Sequence, residues 1–495
     1  MLLSCSAMRA VEHRAFAQGV APEALMDEAG ARIALAVQQF HPTPGRCTVH
    51  FGKGHNGGDA LVAARWLAAA GWAVQLAPAF PREQWAPLTE RKFTQLPASV
   101  HAPQELGLRP RGPAVVLDGL LGLGSSGPLR EPILSAVHAI HRARLLDGAR
   151  VFAIDLPSGL DADSGAACAD AVSADVTLTI GFPKRGLVAD TATQWVGRLA
   201  VLPLAELTAR VLPQDPPQET IATPFSLRPI WPPRRFDLHK GDCGRVAIIA
   251  GSPGMTGAAS LAARACVHAG AGLVTLYATP DIEPRLAVTT PPEVMVRAVD
   301  DYREVLGARH DVLAIGPGLG SRHRDQILAL LRETPMPAVV DADALNALAL
   351  EPELLVDCAG PRLLTPHPGE MRRLDPEAVS LSRDATALRF TARYPHTLLL
   401  KGARTIVAQR GLPLSYNATG CPGMASGGMG DTLTGVCAAL IAQGLSCYDA
   451  ARLGAWICGR AAEFAAQRAS EEALTASLVI DALGQAFTAL RSEGV

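Results

Sequence analysis

Aromatic residues make up only 5% of this chain of 495 residues, so its cores must be filled mainly by Ala, Val, Leu and Ile. Charged residues amount to 19% against 48% hydrophobic residues, a balance that excludes a largely disordered chain. The formal net charge of -2 leaves no surplus of Lys and Arg to neutralise a nucleic-acid backbone. We therefore expect no nucleic-acid partner.

The chain also lacks paired cysteine motifs and long apolar runs. Its ten cysteines form no CxxC pair, which favours buried free thiols in a reducing compartment over disulfides or zinc. The opening MLLSCSAMRAVEHRAF has neither the basic start nor the apolar core of a secretory signal. No stretch reaches the roughly 18 uninterrupted apolar residues of a membrane span, so we expect no membrane partner and a cytoplasmic location.

What the chain does have is an alternation of short apolar segments and amphipathic helical patterns, which occurs in both halves. This alternation predicts an α/β fold with mostly parallel sheets. The proline-rich residues 212–235 lie between the halves, and we interpret them as a linker with the boundary near residue 220. The expected domains are residues 1–215 and 226–495. The expected strands are 47–51, 73–78, 114–117, 151–154, 176–180 and 199–202, then 245–250, 273–278, 312–315, 338–340, 362–364, 397–400 and 405–408.

The first half contains a strand, a glycine-rich loop and a helix in CTVHFGKGHNGGDALVAARWLAAAG. Gly52, Gly54 and Gly57 fit the GxGxxG pattern, and amides at a helix N-terminus can face an anion. The next predicted strand ends in apolar residues and proline, without the acidic residue that binds a ribose hydroxyl. This absence argues against an ordinary hydride-transfer site.

Polar residues follow three separate predicted strands of the same half. Asn56, Asp118 and Ser158 should meet at the edge formed by the carboxyl ends of the strands, where their oxygens could bind one hard cation. Asp155 directly follows the predicted strand 151–154, the same strand that precedes Ser158. A single aspartate here would more often cap a helix or brace a turn, but polar groups after three strands favour a site.

The loop GKGHNGGD, the DGLLG run, the DLPSG turn and the opening MRAVEHRAFAQGVAPEALMDEAG resemble the NAD(P)H-hydrate epimerase domain over nearly all of the first half. We expect a Rossmann-like three-layer sandwich. The resemblance implies potassium held by Asn56, Asp118 and Ser158, and Asp155 would stabilise positive charge or relay a proton. His55 and Ala60 stand where this family usually has Asn and Gly. The residues implied to bind the hydrated cofactor are His55, Asn56, Gly57, Gly58, Asp59, Gly122, Leu123, Gly124, Ser125, Ser126, Gly127, Pro128 and Asp155.

The second half contains the strongest motif, NATGCPGMASGGMGDTLTGVCAALIAQG. Gly427, Gly428 and Gly430 allow consecutive amides to point at one spot, and the dipole of the following helix adds to that positive field. A transferring phosphoryl group suits this place, and Asp431 beside it could take a proton from an attacking hydroxyl. An N-cap aspartate would explain Asp431 but not the three glycines.

The runs HKGDCG, GPGLG, DADALN, TPHPGEMRRL, KGART and SGGMGD resemble the ribokinase-like superfamily and, within it, the ADP-dependent NAD(P)H-hydrate dehydratase domain. Coverage runs from about residue 225 to the end, and the two resemblances in this order match the bifunctional NAD(P)H-hydrate repair family. They imply that the ring hydroxyl is phosphorylated and phosphate then leaves, with magnesium bridging the phosphates of ADP. The residues implied to contact the hydrate are Ala258, Gly318, His367 and Asp431, and those implied to contact the nucleotide are Lys401, Gly402, Ala403, Arg404, Thr405 and Gly430.

Two other interpretations stay open on the sequence alone. One is a kinase for a small vitamin alcohol, which the GGMGD chemistry would serve equally well. The other makes the N-terminal half a binding module without chemistry. The expected partners are hydrated NADH or NADPH and ADP or ATP, with the donor nucleotide undecided, and we also expect a homo-oligomer.

Overall fold

The structure is a computed structural model that describes residues 1–101, 112–124, 127–210 and 217–492. The chain divides into two compact units between Pro217 and Gln218. Each unit has its own sheet and its own hydrophobic core.

The first unit is built on a six-stranded sheet in which every pair of neighbours is parallel. Its strands are β1 Arg46–Phe51, β2 Ala73–Pro78, β3 Ala114–Gly119, β4 Arg150–Ile154, β5 Val176–Ile180 and β6 Arg198–Leu202. The strand order is β2-β1-β3-β4-β5-β6. Its helices are α1 Cys5–Ala17, α2 Pro22–Phe40, α3 His55–Ala69, α4 Pro87–Thr94, α5 Ala98–His101, α6 Ile133–Leu146, α7 Thr193–Val196 and α8 Ala205–Thr208.

Helices cover both faces of this sheet. Along β3, Val115 and Leu117 join the core formed with α2 and α3, whereas Val116 joins the core formed with α6. Because successive side chains of a strand point to opposite faces, a strand buried on both sides is a continuous apolar run. The unit is therefore the three-layer α/β sandwich that the alternation predicted.

The second unit is built on a ten-stranded sheet, in which one strand is antiparallel to both neighbours and the other pairs are parallel. Its strands are β7 Glu219–Ala222, β8 Arg245–Ile249, β9 Leu273–Ala278, β10 Val294–Ala298, β11 Val312–Ile315, β12 Ala338–Val340, β13 Arg362–Leu364, β14 Thr397–Leu400, β15 Ile406–Ala408 and β16 Leu414–Asn417. The order is β10-β9-β8-β11-β12-β13-β14-β15-β16-β7, with β15 as the antiparallel strand. Its helices are α9 Pro224–Leu227, α10 Thr256–His268, α11 Glu283–Thr289, α12 Arg324–Glu333, α13 Ala342–Leu348, α14 Pro368–Leu374, α15 Arg383–Arg393, α16 Met429–Ala442, α17 Cys447–Ala469 and α18 Ala476–Ser492.

The helices α10, α16, α17 and α18 share one core with the central strands β8, β9 and β11. The Ala-rich α10 and α16 lie in direct backbone contact, since a Cβ on Gly435 would lie 2.1 Å from the carbonyl oxygen of Ala262. Small side chains allow this close approach. The packing fixes the N-terminus of α16 against the ten-stranded sheet.

Part of the segment expected to be a linker, residues 212–235, belongs to the second unit, and residues 212–216 lie outside the described residues. Glu219–Ala222 forms β7 and pairs in parallel with β16 at the edge of the ten-stranded sheet. Thr223 then caps α9, whose first residue is Pro224. Proline suits the first position of a helix because the N–H group it lacks would have no intrahelical partner there. Pro224 therefore begins an element of the second unit instead of keeping the chain irregular.

Three negative findings apply to the described ranges of the chain. No helix in them has the length and apolar character needed to cross a membrane. No group of three or more His, Cys, Asp or Glu side chains in them could hold a metal ion. The ten cysteines are all free. A cation site among the described residues would need amide, hydroxyl or backbone oxygens.

Candidate active sites

The first candidate site lies at the carboxyl end of the six-stranded sheet, where β1 leads into α3. Gly54 is the N-cap of α3, and the helix begins at His55. Residues 55–59, which were expected in the loop GKGHNGGD, are therefore the first helical residues. Glycine has a low helix propensity, which made the early start hard to predict.

Gly57 and Gly58 are required by packing at this helix start. A Cβ on Gly57 would lie 2.1 Å from the carbonyl oxygen of Gly52, and a Cβ on Gly58 would lie 2.5 Å from Sδ of Met26 in α2. The N–H group of Gly58 donates to the carbonyl oxygen of Gly54 (3.2 Å). Gly57 brings two segments of backbone together, Gly58 leaves room for the Met26 side chain, and the amide of Gly58 is used within the helix.

The two departures from the usual epimerase pattern lie in different surroundings. Ala60 is completely buried, and a Cβ on Gly119 of β3 would lie 2.6 Å from its methyl carbon. Ala60 therefore packs against the last residue of β3, with its methyl group in the interior. His55 is exposed at the first position of α3, so it is the departure that can contact a ligand.

The structure brings Asn56, Asp118 and Ser158 into one hydrogen-bonded group. Oγ of Ser158 donates to Oδ1 of Asp118 (2.7 Å), and the N–H of Ser158 donates to Oδ2 (2.8 Å). Nδ2 of Asn56 donates to the carbonyl oxygen of Leu121 (2.8 Å), whose own N–H donates to Oγ of Ser158 (3.1 Å). Three oxygen-bearing side chains therefore lie together beside the segment that follows β3.

Asp118 has the chemistry of a cation ligand. Its side chain is completely buried, and its hydrogen bonds come from neutral donors, the two from Ser158 and the N–H of Leu120 (3.2 Å). Burial raises the pKa of Asp118 to about 6, against the opposing effect of these hydrogen bonds. A buried carboxyl grouped with amide and hydroxyl oxygens fits a monovalent cation, whose charge would keep it ionised.

The glycine-rich segment after β3 lies beside the same group. A Cβ on Gly122 would lie 3.4 Å from Cβ of Asn56, and the carbonyl oxygen of Leu123 accepts a hydrogen bond from α1 (3.1 Å). Ser125 and Ser126 lie outside the described residues. The exposed residues of the segment are Gly124, Gly127 and Pro128.

Asp155 has a strained backbone and a buried partner. Its φ of +67° lies in the left-handed region, which few residues other than glycine adopt. Its carboxylate pairs with the ammonium group of Lys184 and accepts the N–H of Ile180 (3.1 Å). Lys184 is completely buried and also donates to the carbonyl oxygen of Ile180 (3.1 Å). The sequence analysis did not identify Lys184, whose partner Asp155 lies 29 residues away in the chain.

The second candidate site lies at the carboxyl end of the ten-stranded sheet. Ala258 in α10 and Gly318 after β11 touch, since a Cβ on Gly318 would lie 3.0 Å from Cβ of Ala258. Gly318 has a φ of +62°, and its carbonyl oxygen accepts the hydroxyl of Ser252 (2.8 Å). These contacts bring the segments after β8 and β11 together.

The N-terminus of α16 opens towards the same edge. Gly428 is its N-cap with a φ of +88°, and a Cβ there would lie 2.7 Å from Cδ1 of Leu261. A Cβ on Gly430 would lie 3.4 Å from both Oδ2 of Asp341 and Nζ of Lys401. The two glycines therefore bring the first turn of α16 beside the charged groups at the strand ends.

Those charged groups form a network around Asp431. Nζ of Lys401 lies 2.8 Å from Oδ1 of Asp341 and 3.7 Å from Oε2 of Glu370. The hydroxyl of Thr434 donates to Oδ2 of Asp341 (2.9 Å). Burial raises the pKa of Asp431 to about 6, repulsion from Asp341 adds to the rise, and Lys401 opposes it. Asp431 can thus change protonation near neutral pH, which suits a general base.

His367 is the N-cap of α14, and its ring is held in one orientation. Nδ1 accepts the N–H groups of Gly369 (2.9 Å) and Glu370 (3.3 Å), while the Glu370 carboxylate accepts the N–H of His367 (2.8 Å). A neutral ring whose Nδ1 accepts carries its proton on Nε2. His367 is half exposed, and its Nε2 lies 3.5 Å from Oε1 of Glu370.

The turn between β14 and β15 is fixed by Arg383, a residue of α15 that no motif indicated. Its Nη2 donates to the carbonyl oxygens of Leu400 (3.0 Å), Lys401 (3.2 Å) and Arg404 (3.0 Å). A Cβ on Gly402 would lie 2.5 Å from the same nitrogen. Arg383 therefore gathers the carbonyl groups of the turn on one side and fixes its conformation.

The other residues of this turn differ in their exposure. Gly402 and Ala403 are exposed, whereas the side chain of Arg404 is buried. The hydroxyl of Thr405 donates to the carbonyl oxygen of Gly402 (3.0 Å). The turn thus leaves Lys401, Gly402 and Ala403 accessible to a ligand and places the Arg404 side chain in the interior.

Two family profiles match the chain. The profile described as "NAD(P)H-hydrate dehydratase" matches residues 246–484, and the profile described as "YjeF-related protein N-terminus" matches residues 22–186.

Relatives match over nearly the full length. The bifunctional NAD(P)H-hydrate repair enzyme of Moorella thermoacetica is 35% identical over 503 residues, covering 95% of this chain and 93% of the relative. The enzyme of the same name from Coxiella burnetii is 37% identical, covering 95% and 96%. Among solved structures, the ADP/ATP-dependent NAD(P)H-hydrate dehydratase of Bacillus subtilis, co-crystallised with ATP and Mg²⁺, is 26% identical with a TM-score of 0.49, covering 55% of this chain and 99% of that chain.

Proposed function

The chain belongs to the family of bifunctional NAD(P)H-hydrate repair enzymes, and on that basis we propose that its two units act in succession on hydrated NADH and NADPH. The first unit interconverts the R and S hydrates, and the second converts the S hydrate back to the intact cofactor at the expense of a nucleotide. The observation that carries this proposal is the position of Asp431 in the first turn of α16, beside Gly430 and the Lys401–Asp341 pair.

In the second unit, Asp431 takes the proton from the ring hydroxyl as the hydroxyl oxygen attacks the terminal phosphorus of the nucleotide. The phosphoanhydride bond breaks and the shortened nucleotide leaves. Phosphate then departs from the ring carbon with its bonding electrons, and loss of a proton from the neighbouring carbon restores the double bond. Phosphorylation is needed because phosphate is a far better leaving group than hydroxide.

Charge neutralisation in this step is assigned to the first turn of α16 and to Lys401. The amides of that turn and the helix dipole favour an anion at the position of Gly430, and Lys401 adds a positive charge near it. Magnesium, bound through the phosphates of ADP or ATP, would supply further neutralisation. His367, which is half exposed beside Glu370, is assigned to a contact with the hydrate.

In the first unit, the ring is held between the N-terminus of α3 and the strand ends that carry Asp118 and Asp155. Loss of the hydroxyl places positive charge on the ring, and the Asp155 carboxylate stabilises that charge. The group of Asn56, Asp118 and Ser158 would hold potassium, which would supply a fixed positive charge in the site. The buried, neutral surroundings of Asp118 support this assignment.

Incubation of the pure protein with hydrated NADH tests both activities. The R and S forms are separated by chromatography with and without nucleotide, and the return of nicotinamide absorbance is followed with ADP or ATP and magnesium. Epimer exchange without nucleotide, and NADH with one equivalent of phosphate when ADP or ATP is added, are expected. A stable phosphorylated product would instead support a kinase, and no epimer exchange would support a binding module. Size-exclusion chromatography of the same sample tests the predicted homo-oligomer.

A further inference from the structure

The helix α1 forms one side of the first site, although the sequence motifs of that site lie elsewhere. Nη2 of Arg9 donates to the carbonyl oxygen of Leu123, in the glycine-rich segment after β3 (3.1 Å). Met8 packs beside Gly181, since a Cβ on that glycine would lie 3.2 Å from its methyl carbon. The chain before the helix is also fixed, because Leu3 forms a β-bridge with Lys184. These contacts hold α1 across the carboxyl end of β5.

Glu12 lies on this helix one turn after Met8 and Arg9. Its side chain is half-buried, and the charges of Asp155, Lys184, His55 and His13 act on it. Glu12 and Asp155 in turn act on Asp59, near the start of α3. Three carboxyl groups therefore share one region with one buried ammonium group.

Of the three acids, Asp155 is the one that pairs with the buried Lys184. Lys184 pairs with Asp155, while the carbonyl oxygen of Ile180 accepts another of its hydrogen bonds (3.1 Å) and the N–H of Ile180 donates to Asp155 (3.1 Å). Burial raises the pKa of Glu12, and the Asp155 charge adds to that rise, although Lys184 opposes it. Burial likewise raises the pKa of Asp59 well above its ordinary value.

Building on the proposed epimerisation, we propose that Glu12 is the acid that carries the proton in the first site, and that Asp155, paired with Lys184, serves only as the charge-stabilising carboxylate. The assignment separates two tasks that one aspartate cannot perform at once. A carboxylate that remains charged stabilises a cation, and a carboxyl group that holds a proton can release it to a leaving hydroxyl.

Epimerisation in the first site proceeds by loss of water from the ring and its return to the opposite face. Protonated Glu12 donates its proton to the hydroxyl on the ring carbon next to the ring nitrogen. The carbon–oxygen bond breaks, water leaves, and the lone pair of the nitrogen forms a carbon–nitrogen double bond whose positive charge faces Asp155. Water adds to the opposite face of the same carbon and gives up a proton to a carboxylate of the site. The net reaction exchanges R for S without an oxidant or a nucleotide.

The test compares Glu12→Gln and Glu12→Asp with the unaltered full-length protein. Conversion of R hydrate to S hydrate is measured from acid to alkaline pH, after subtraction of the rate without protein. Glu12→Gln is expected to lower the exchange rate by about a hundredfold or more, and Glu12→Asp to restore part of it. The rate of the unaltered protein should fall as rising pH removes the Glu12 proton, and this alkaline decline should be absent from the residual activity of Glu12→Gln.

The controls distinguish a chemical role from a structural one. Hydrogen exchange of β1, β3, β4 and β5 reports whether the first unit is folded. Dehydration of the S hydrate shows that the substrate is intact and that the second unit is active. Glu28→Gln, which removes a charge paired with Arg32 on α2, is the matched variant and should leave exchange unchanged. Full exchange activity in Glu12→Gln, or an alkaline decline that survives in its residual activity, overturns the assignment. Absence of exchange in the unaltered protein would instead contradict the proposed function itself.

Discussion

Nζ of Lys401 lies 2.8 Å from Oδ1 of Asp341, so the strand-end carboxylate of β12 holds the strand-end cation of β14 in place. Both groups also act on Asp431, in opposite directions. The Asp341 charge raises the pKa of Asp431 and the Lys401 charge lowers it, while burial is the largest cause of the rise to about 6. The protonation of the proposed base is therefore set by burial and adjusted in opposite directions by Asp341 and Lys401.

The pH dependence of dehydration follows from this arrangement. Because Asp431 must be ionised to accept a proton, kcat/KM should rise as the pH increases through about 6 and then level off. Asp341→Asn should move this acid limb to lower pH, since it removes the repulsion that raises the pKa. Lys401→Met should move the limb to higher pH and also raise KM for the nucleotide. Identical limbs in the three proteins would contradict the electrostatic coupling.

Asp431→Asn removes the base and leaves the shape of the first turn of α16 unchanged. Dehydration should fall by about 10³-fold or more, since positioned general bases typically contribute 10²–10⁴-fold and the amide cannot replace the carboxylate. Nucleotide binding, measured by isothermal titration calorimetry, should be retained, because Gly430 and the Lys401–Asp341 pair remain. Normal turnover in this variant would refute the assignment of Asp431 as the base.

The central strands could be predicted because burial on both faces makes them uninterrupted apolar runs. Three strands of the second sheet could not. β10 and β7 lie at its two edges, and β10 exposes Met295 and alternate residues to solvent, while β16 has the polar sequence LSYN. Edge strands need fewer apolar residues because one side or one face remains open, so their sequences resemble those of loops.

The residues of the candidate sites likewise divide into those that the sequence predicts and those that it does not. A charge directly after a strand, such as Lys401, could be predicted because parallel strands place their carboxyl ends together. Gly430 could be predicted because it stands in a glycine-rich run before a helix. Arg383, Lys184 and Glu12 could not, because each acts through a contact distant in sequence. A guanidinium that holds three carbonyl groups of a turn leaves no periodic pattern, and neither does a lysine that pairs with a carboxylate 29 residues away.

Removal of the Arg383 side chain should weaken the nucleotide site without changing the chemistry. Arg383→Ala frees the carbonyl groups of Leu400, Lys401 and Arg404, so the turn after β14 should lose its fixed conformation. KM for the nucleotide should rise about tenfold while kcat at saturation changes little, and steady-state kinetics measures the difference. Arg393→Ala, on the same helix and paired at the surface with Glu353, is the control and should leave both constants unchanged. Equal effects of the two variants would argue against Arg383 as a positioning residue.

The glycines before Asp431 should differ in their tolerance of a side chain. At Gly428 the φ of +88° disfavours alanine, and the new Cβ would lie 2.7 Å from Leu261 and 2.9 Å from Ala476. Gly428→Ala should destabilise the second unit by about 1–3 kcal/mol. In the described part of the chain no heavy atom lies within 4 Å of a Cβ built at Gly427, so Gly427→Ala should change the stability by less than about 0.5 kcal/mol. Thermal unfolding measures the stability of both variants. Equal losses of stability would show that the contacts at Gly428 do not determine the conformation of the turn.

Potassium should stabilise the first unit in a manner that depends on pH. Burial raises the pKa of Asp118 to about 6. With a folded pKa above the unfolded value, the contribution of this group to stability is present at acid pH and is lost as the pH rises through about 6. A bound cation opposes that loss by pairing with the ionised form. Potassium should therefore raise the unfolding temperature more at pH 8 than at pH 5, relative to tetramethylammonium at equal ionic strength.

The difference between the two pH values should disappear in Asp118→Asn and persist in Asp147→Asn, which alters an exposed aspartate at the end of α6. An equal potassium effect in Asp118→Asn would show that the cation binds elsewhere.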